Sequence, residues 1–359
     1  MAIDPDFWPR RRVLVTGHTG FKGAWLSLWL SSLGAEVTGL SPGVPTSPSL
    51  FEQARVGEEV RSVAVDVRDA AAVRRAAEES AAEVVFHLAA QPMVRRSLRE
   101  PALTYEVNVI GTVNVLEAAR LTDTVRSVVI VTSDKCYENR GEGRPFVEGD
   151  PLGGSDPYST SKACAELITA SYCSSLLGTE GPTRVASARA GNVIGGGDWG
   201  EDRLLPDALR AVEQGEALLV RNPAAVRPWQ HVLNPLGGYL MLAQRLWDRP
   251  SASRAWNLGP PEDDARPVGW IVERLAELWE GELSWAADER PNPPEAALLT
   301  LDSSDAAREL GWRFAWGLDE ALGRVVEWHR AQLAGEDMRA YSLRQIADFS
   351  AALTTVSAG

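Results

Sequence analysis

Short β-rich runs at residues 12–16, 36–40, 61–65, 84–88, 127–132 and 184–188 alternate with helix-period segments through the first half of this chain. Strands separated by helices do not pair as hairpins; they align in parallel and need helices on both faces. The rhythm predicts an α/β fold, a Rossmann-like doubly wound parallel sheet whose ligands bind at the carboxyl ends of its strands. From residue 191 the sequence becomes more helical and richer in Trp and Pro, which predicts a smaller, mixed C-terminal lobe for substrate. Apolar runs at 232–246 and 255–258 are expected to return to the first domain. The expected division is therefore 1–190 with 232–258 for the sheet domain, and 191–231 with 259–359 for the lobe.

Composition narrows the class. A chain of 359 residues that is 45% hydrophobic and 24% charged has ample material for a core, which argues against disorder. No uncharged apolar run reaches the ~18 residues of a membrane span; the nearest, 24–33, ends at Gly34 and reads as a buried helix. A net charge of -13 argues against a nucleic-acid surface. It still permits a small anionic ligand held by a few local cations and backbone N–H groups. Cys136, Cys164 and Cys173 have no metal-ligand spacing and are odd in number, so the expectation is no metal, no disulfide framework and a reduced, cytoplasmic protein. Residues 1–12 are polar, lack the apolar core of a secretion signal, and are left outside the expected fold.

The first strand leads into Gly17-His18-Thr19-Gly20-Phe21-Lys22-Gly23, a glycine turn opening a helix. Glycines let backbone approach a diphosphate, and the helix start offers unpaired N–H groups and partial positive charge. A dinucleotide is therefore expected on Gly17, Thr19, Gly20, Phe21, Lys22 and Gly23. Around residues 40–42 there is neither an acid for the adenosine ribose nor an arginine for a 2'-phosphate, so the second strand does not choose NAD or NADP. Asp66 with Val67 is expected to hold the adenine, with a helix cap near Asp69 as the rival reading. The Leu88-Ala89-Ala90 backbone is expected on the cofactor, His87 to be packed, and Gln91 to reach nicotinamide or sugar. Asn108, inside a helical pattern, is expected to satisfy backbone groups and support the site indirectly.

The fifth run ends in Thr132-Ser133-Asp134-Lys135, and Tyr158 and Lys162 follow one helical turn apart. A phenol of ordinary pKa near 10 needs a nearby cation to act as a base near neutral pH, which Lys162 is placed to supply. These groups read as an acid/base site.

Gly17-x-x-Gly20-x-x-Gly23, Phe86-His87-Leu88-Ala89-Ala90-Gln91, Asn108, Thr132-Ser133 and Tyr158-x-x-x-Lys162 together resemble the extended short-chain dehydrogenase/reductases that act on nucleotide sugars. Within that superfamily several stretches are similar to the CDP-glucose 4,6-dehydratases, over the chain to about Trp312. They are Gly17 to Gly23, Pro45-Thr46-Ser47-Pro48-Ser49-Leu50-Phe51, Ser133-Asp134-Lys135-Cys136-Tyr137-Glu138-Asn139, Leu152 to Ser159, and Gly191 to Trp199.

The resemblance implies a retained NAD and a nucleoside-diphosphate hexose, CDP-glucose favoured. It also implies a homodimer formed by helices around 101–121 and 158–176. Tyr158 would take the C4 hydroxyl proton while hydride passes to NAD, with Ser133 on that oxygen and Lys162 tuning the phenol and holding the ribose beside Thr132. Asp134 and Lys135 would then manage loss of water across C5 and C6. The expected split is Asp134 as acid at the C6 oxygen and Lys135, if kept neutral, as C5 base; the dTDP-glucose dehydratases carry Asp-Glu there. Arg227 is the expected diphosphate cation, since a guanidinium pairs with phosphate oxygens, and Asn192 and Arg203 are further substrate candidates. Pro293-Pro294-Glu295-Ala296 departs from the Pro-His-Glu-Ala of the family. A C4 epimerase would need Ser133, Tyr158 and Lys162 without the Asp134-Lys135 pair. A non-catalytic NAD-bound regulator would need none of them.

Overall fold

The computed structural model describes residues 3–177, 181–279, 283–288 and 299–358. Side-chain alternation along the strands explains its layers. In β5 (Ser127–Val131), Val129 and Val131 face one side and Val128 and Ile130 the other, as do Val15 and Leu14 of β1 (Arg12–Thr16). The first side packs on Trp25 and Trp29 of helix Phe21–Ser32 and on Leu236 and Leu240 of helix Leu233–Asp248. The second packs on Val73, Val115 and Leu116 from helices Ala70–Glu79 and Gly111–Arg120. A sheet apolar on both faces needs helices on both, which is the doubly wound arrangement.

The other strands are β2 (Glu36–Ser41), β3 (Arg61–Ala64), β4 (Val84–His87), β6 (Arg184–Arg189) and β7 (Ala255–Asn257). Their order is β7-β6-β5-β4-β1-β2-β3, with every pairing parallel. The fold is the Rossmann-like doubly wound sheet the alternation predicts. Strand order reverses between β1 and β4, where Thr16 lies beside His87, so the crevice beyond those strands is the ligand position of such sheets. Helix Phe21–Ser32 starts at that crevice and ends before Gly34, whose φ of +82° is the left-handed turn that sends the chain into β2.

A third apolar cluster, including Leu209, Trp229, Ile271, Leu275 and Val325, joins helices Leu204–Gln214, Val268–Leu278 and Leu318–Leu333. The last helix, Met338–Ala358, packs back toward the first, with Phe349 edge-on to Trp29 at 5.6 Å and to Trp316 at 5.1 Å.

The N-terminal segment requires a correction. Trp8 is fully buried, Phe7 meets it edge-on at 4.9 Å and Trp247 at 5.6 Å, and Trp8 lies 6.2 Å from Phe86 of β4. Polar neighbours mask two aromatic anchors whose large apolar area belongs in the core. The departure at Pro293-Pro294-Glu295-Ala296 lies outside the described residues. Among the described residues no helix is long and apolar enough to cross a membrane, and no cluster of His, Cys, Asp and Glu is arranged to hold a metal ion.

Candidate active site

The end of β1 supplies the cradle. Gly17 has φ +73°, and a Cβ there would meet the Ala89 backbone N at 2.8 Å; one on Gly23 would sit 2.0 Å from the Gly17 carbonyl oxygen. Only glycine lets this turn close on the β4 loop and on its own helix. Helix Phe21–Ser32 has no side-chain cap and no acid in its first turn, so its positive end is uncompensated. Thr19 Oγ1 donates to the Gly43 carbonyl at 2.7 Å and lies 2.7 Å from Ser41 Oγ, tying the turn to the loop after β2. A backbone cradle with a bare helix start fits the diphosphate of a dinucleotide.

Asp66 pairs with Arg68 at the surface. Its carboxylate accepts from the Arg68 guanidinium at 2.7 Å and the Arg68 N–H at 2.9 Å, and Asp69 caps the following helix through the Ala72 N–H at 3.0 Å. The Val67 carbonyl accepts from Asn114 Nδ2 at 2.9 Å. Both residues follow β3, the edge strand, away from the groups at the end of β5.

The β4 loop is stapled from within. The Leu88 N–H donates to the Thr16 carbonyl and the Ala89 N–H to Thr16 Oγ1, each at 3.2 Å, which sets Leu88-Ala89-Ala90 beside the glycine turn. His87 is packed between Thr16 and Thr112, and burial followed by the charge of Lys162 pulls its pKa down to about 3. Gln91 is bonded to its own loop and to Thr104. Its Nε2 donates to Met93 O at 3.1 Å and Thr104 Oγ1 at 2.9 Å, and its Oε1 accepts from the Met93 N–H at 2.7 Å. Both amide hydrogens of Gln91 staple the β4 loop. Asn108 bonds both backbone groups of Gln91, at 2.8 and 3.1 Å, and reaches Ser161 Oγ at 2.9 Å. It sits in the π-helical turn Glu106–Ile110, where one extra residue per turn re-aims a side chain inward.

At the end of β5 the chain turns at Ser133, whose Oγ accepts from the Lys135 N–H at 3.2 Å and donates to Asp134 Oδ1 at 2.9 Å. Lys135 Nζ donates to the same carboxylate oxygen at 3.1 Å and to Asn192 Oδ1 at 3.3 Å. Asp134 is fully buried, and its Oδ2 has no hydrogen-bond partner among the described residues; a Cβ on Gly191 would come within 2.8 Å of it. Burial pulls the Lys135 pKa down, but the Asp134 carboxylate and Tyr158 outweigh it and hold the amine above its ordinary value. That raised pKa favours the ammonium form of Lys135 at rest.

Tyr158 stands at the start of helix Pro157–Ser175, capped by Asp156 through the Ser159 N–H at 2.9 Å, with Pro157 in the first turn. Burial raises its pKa; the charge of Lys135, a hydrogen bond with Ser133 and the charge of Arg203 oppose that without cancelling it. The cations acting most on the phenol are Lys135 and Arg203. Lys162 instead donates to the Val131 carbonyl at 3.2 Å, and burial, opposed by Glu166, brings its pKa down to about 8. One helical turn aligns the two side chains, but the amine is drawn to the strand end beneath. Arg203 is clamped by buried Asp198 at 2.8 and 2.9 Å, and Arg227 donates to the Val226 carbonyl at 2.8 Å while its charge acts on Lys135.

Sequence reasoning passed over a simple signal. Of the 36 Lys and Arg residues only three are lysine, Lys22, Lys135 and Lys162, and all three interact electrostatically here. Arginine serves for every other positive charge, so these are the places where a compact amine is needed. Lys22 Nζ donates to the Tyr239 hydroxyl at 3.2 Å, and burial, then Lys162, Arg203 and Lys135 against Asp134, bring its pKa to about 7. Also missed were Glu166, Arg189 and Tyr137, buried behind the reactive turn.

A model of the NAD dependent epimerase/dehydratase family matches residues 13–259, more than half of the chain. The CDP-glucose 4,6-dehydratase of Salmonella typhimurium is 48% identical over 357 residues, covering 98% of this chain and 99% of that protein. A dTDP-glucose 4,6-dehydratase from Streptomyces venezuelae, solved with NAD bound, superposes with a TM-score of 0.75 at 24% identity, over 90% of this chain and 98% of its own. The UDP-glucose 4-epimerase of Thermotoga maritima gives 0.78 at 21%, over 89% and 99%. At those identities the two solved structures speak for the fold alone.

Proposed function

We propose a reaction from the premise that this chain belongs to the NAD dependent epimerase/dehydratase family. It removes one water from a nucleoside-diphosphate hexose, CDP-D-glucose, to give CDP-4-dehydro-6-deoxy-D-glucose. The observation that carries this reading is the Asp134–Lys135 pair, bonded at 3.1 Å beside Ser133 and acting on Tyr158. Oxidation and reduction at C4 need no such pair, and the relative at 48% identity is a dehydratase of this nucleotide sugar.

The glycine turn from Gly17 to Gly23 would hold the NAD diphosphate, with Asp66 and Val67 toward the adenine and Leu88-Ala89-Ala90, Thr132 and Lys162 toward the nicotinamide ribose. When bound, NAD would supply hydride chemistry, by which the C4 hydrogen is removed and later returned at C6, and C5 regains a proton to complete the product. Tyr158 takes the C4 hydroxyl proton, Ser133 donates a hydrogen bond to that oxygen, and the positive charges of Lys135 and Arg203 favour the phenolate. A carbonyl at C4 makes the C5 hydrogen acidic.

Transfer of one proton along the 3.1 Å bond from Lys135 to Asp134 yields a neutral amine and a carboxylic acid with no change in total charge. The amine then takes the C5 proton, the acid gives its proton to the C6 oxygen, and water leaves. The pair ends as ammonium and carboxylate, which is its resting state. Two groups whose roles diverge through a shared proton suit an elimination that needs acid and base together. Arg227, with Asn192 and Arg203 around it, takes the substrate diphosphate and sugar, between a cofactor domain of 1–190 with 232–258 and a lobe of 191–231 with 259–359. Exposed Tyr105, Ile110, Leu167 and Leu176 on the 101–121 and 158–176 helices support a homodimer. Three unpaired cysteines support a cytoplasmic setting.

Incubation with CDP-, dTDP- and UDP-glucose, with products read by mass, tests the reaction. Loss of one water from CDP-glucose is expected; an isomer of unchanged mass would mean epimerisation, and no product from any of the three would sink the reading. Lys135→Ala protein that still exchanges solvent deuterium into C5 at the normal rate would remove Lys135 as the base.

A further inference from the structure

Glu166 lies on helix Pro157–Ser175, one turn beyond Lys162 and two beyond Tyr158, with its side chain 2% exposed. All its bonds run to the two strands beneath. Oε1 accepts from Thr132 Oγ1, and Oε2 accepts from Ser187 Oγ and Arg189 Nη2, each of the latter two at 2.7 Å. Arg189, 4% exposed, carries the contact onward. Its Nη1 donates to the Tyr137 hydroxyl at 2.6 Å and the Glu148 carbonyl at 3.0 Å, with the guanidinium 4.8 Å over the Tyr137 ring. Tyr137 in turn donates to Asn257 Oδ1 on β7 at 2.7 Å.

Thr132 directly precedes Ser133-Asp134-Lys135, and Tyr137 follows two residues after it. The buried ion pair therefore grips the reactive tripeptide at both flanks, Thr132 through Glu166 and Tyr137 through Arg189. A buried pair is poor value as a source of stability, because desolvation offsets its attraction and an apolar pair of similar volume serves as well. Retaining it under the end of a strand points to positioning.

We propose that Glu166 is a positioning residue for the elimination: with Arg189 it sets the placement of Ser133, Asp134 and Lys135, and it stands one helical turn from Lys162. This rests on the reaction proposed above. The other titratable groups acting on Lys162 are Cys136 after the reactive turn, Lys22 of the glycine-turn helix and His87 of β4. Of these, His87 is neutral, and Lys22 opposes the charge on Lys162. Glu166 is the opposite charge of greatest effect, resisting the burial that brings Lys162 to about 8.

Because the chain has three lysines, protein labelled with 13C at lysine gives three side-chain signals to titrate. In Glu166→Gln, which keeps the size and an acceptor for Thr132, the Lys162 midpoint is expected to fall by about one unit. Lys135 should hold its midpoint. This arm needs neither substrate nor turnover, so its failure is separate from failure of the proposed reaction. With CDP-glucose, kcat should fall on the order of tenfold at pH 8 with little change in KM, and the alkaline limb should move to lower pH. Thr132→Val, which frees one flank but keeps the carboxylate, should lower kcat while the Lys162 midpoint stays. If Glu166→Gln does not fold, Glu166→Gln with Arg189→Gln removes both buried charges and carries the same titration. A Lys162 midpoint unmoved by loss of the Glu166 charge, or a wild-type kcat and pH profile in Glu166→Gln, overturns the proposal.

Discussion

Replacing Lys135 with Met removes the cation from the Asp134 carboxylate and keeps a flexible side chain of similar length. At 3.1 Å the attraction is about 5 kcal/mol at an effective dielectric of about 20. Part of that is cancelled by desolvation, since Asp134 is 1% and Lys135 29% exposed. The expected net coupling is about 2 kcal/mol, about a thirtyfold change in the folding equilibrium. A double-mutant cycle isolates it: urea unfolding of wild type, Asp134→Asn, Lys135→Met and the double variant. Lys135→Met alone should lose more, about 3 kcal/mol, because it leaves a buried carboxylate uncompensated. The pH dependence has a definite sign. Folding raises the Lys135 pKa, so the coupling is fully present below the unfolded lysine value of about 10.5 and is lost as pH rises through the higher folded value. A coupling below about 0.5 kcal/mol, the figure for an exposed pair, would refute the reasoning and leave Asp134 and Lys135 as two independent side chains.

Other outcomes follow from the same geometry. Trp8→Ala should cost about 3–5 kcal/mol in chemical denaturation, as for any fully buried tryptophan; a loss under 1 kcal/mol would return the N-terminal segment to the surface. Gly23→Ala places a Cβ 2.0 Å from the Gly17 carbonyl and should cost on the order of 2 kcal/mol, about thirtyfold, in NAD affinity by calorimetry; unchanged affinity would place the dinucleotide elsewhere. Lys22 at about 7 and Lys162 at about 8 are both charged at pH 6 and both largely neutral at pH 9. NAD affinity should therefore fall across that interval, with proton uptake on binding near pH 8, and a flat profile would contradict it. Tyr158→Phe should lower kcat by about 10²–10⁴ and leave NAD affinity in place, measured by steady-state kinetics beside calorimetry.

Much of the fold was legible because it rests on local pattern. A strand apolar at every position, such as Val128-Val129-Ile130-Val131, has to be covered on both sides, and its bounds follow from where the run stops. Glycine positions were legible for the same reason, since Gly17 and Gly34 answer to backbone conformation at their own residues. The N-terminal anchor was not, because Phe7 and Trp8 form no periodic run and their burial depends on Trp247 and Phe86 far along the chain.

Within the site, the sequence by itself determined which chemical groups stand at the strand ends: a hydroxyl, a carboxylate and an ammonium at Ser133 to Lys135, and a phenol with an amine one turn away at Tyr158 and Lys162. Tertiary structure decided what those groups are. It paired Lys135 with Asp134, drew Lys162 to the Val131 carbonyl, bonded the Gln91 amide to Thr104, and ran the Glu166–Arg189 pair behind the reactive turn. The physical reason is one of range. Backbone preference and apolar period act over a few neighbouring residues, whereas protonation state and hydrogen-bond partner are set by burial and by charges within a few ångströms, contributed by residues that sequence separates widely.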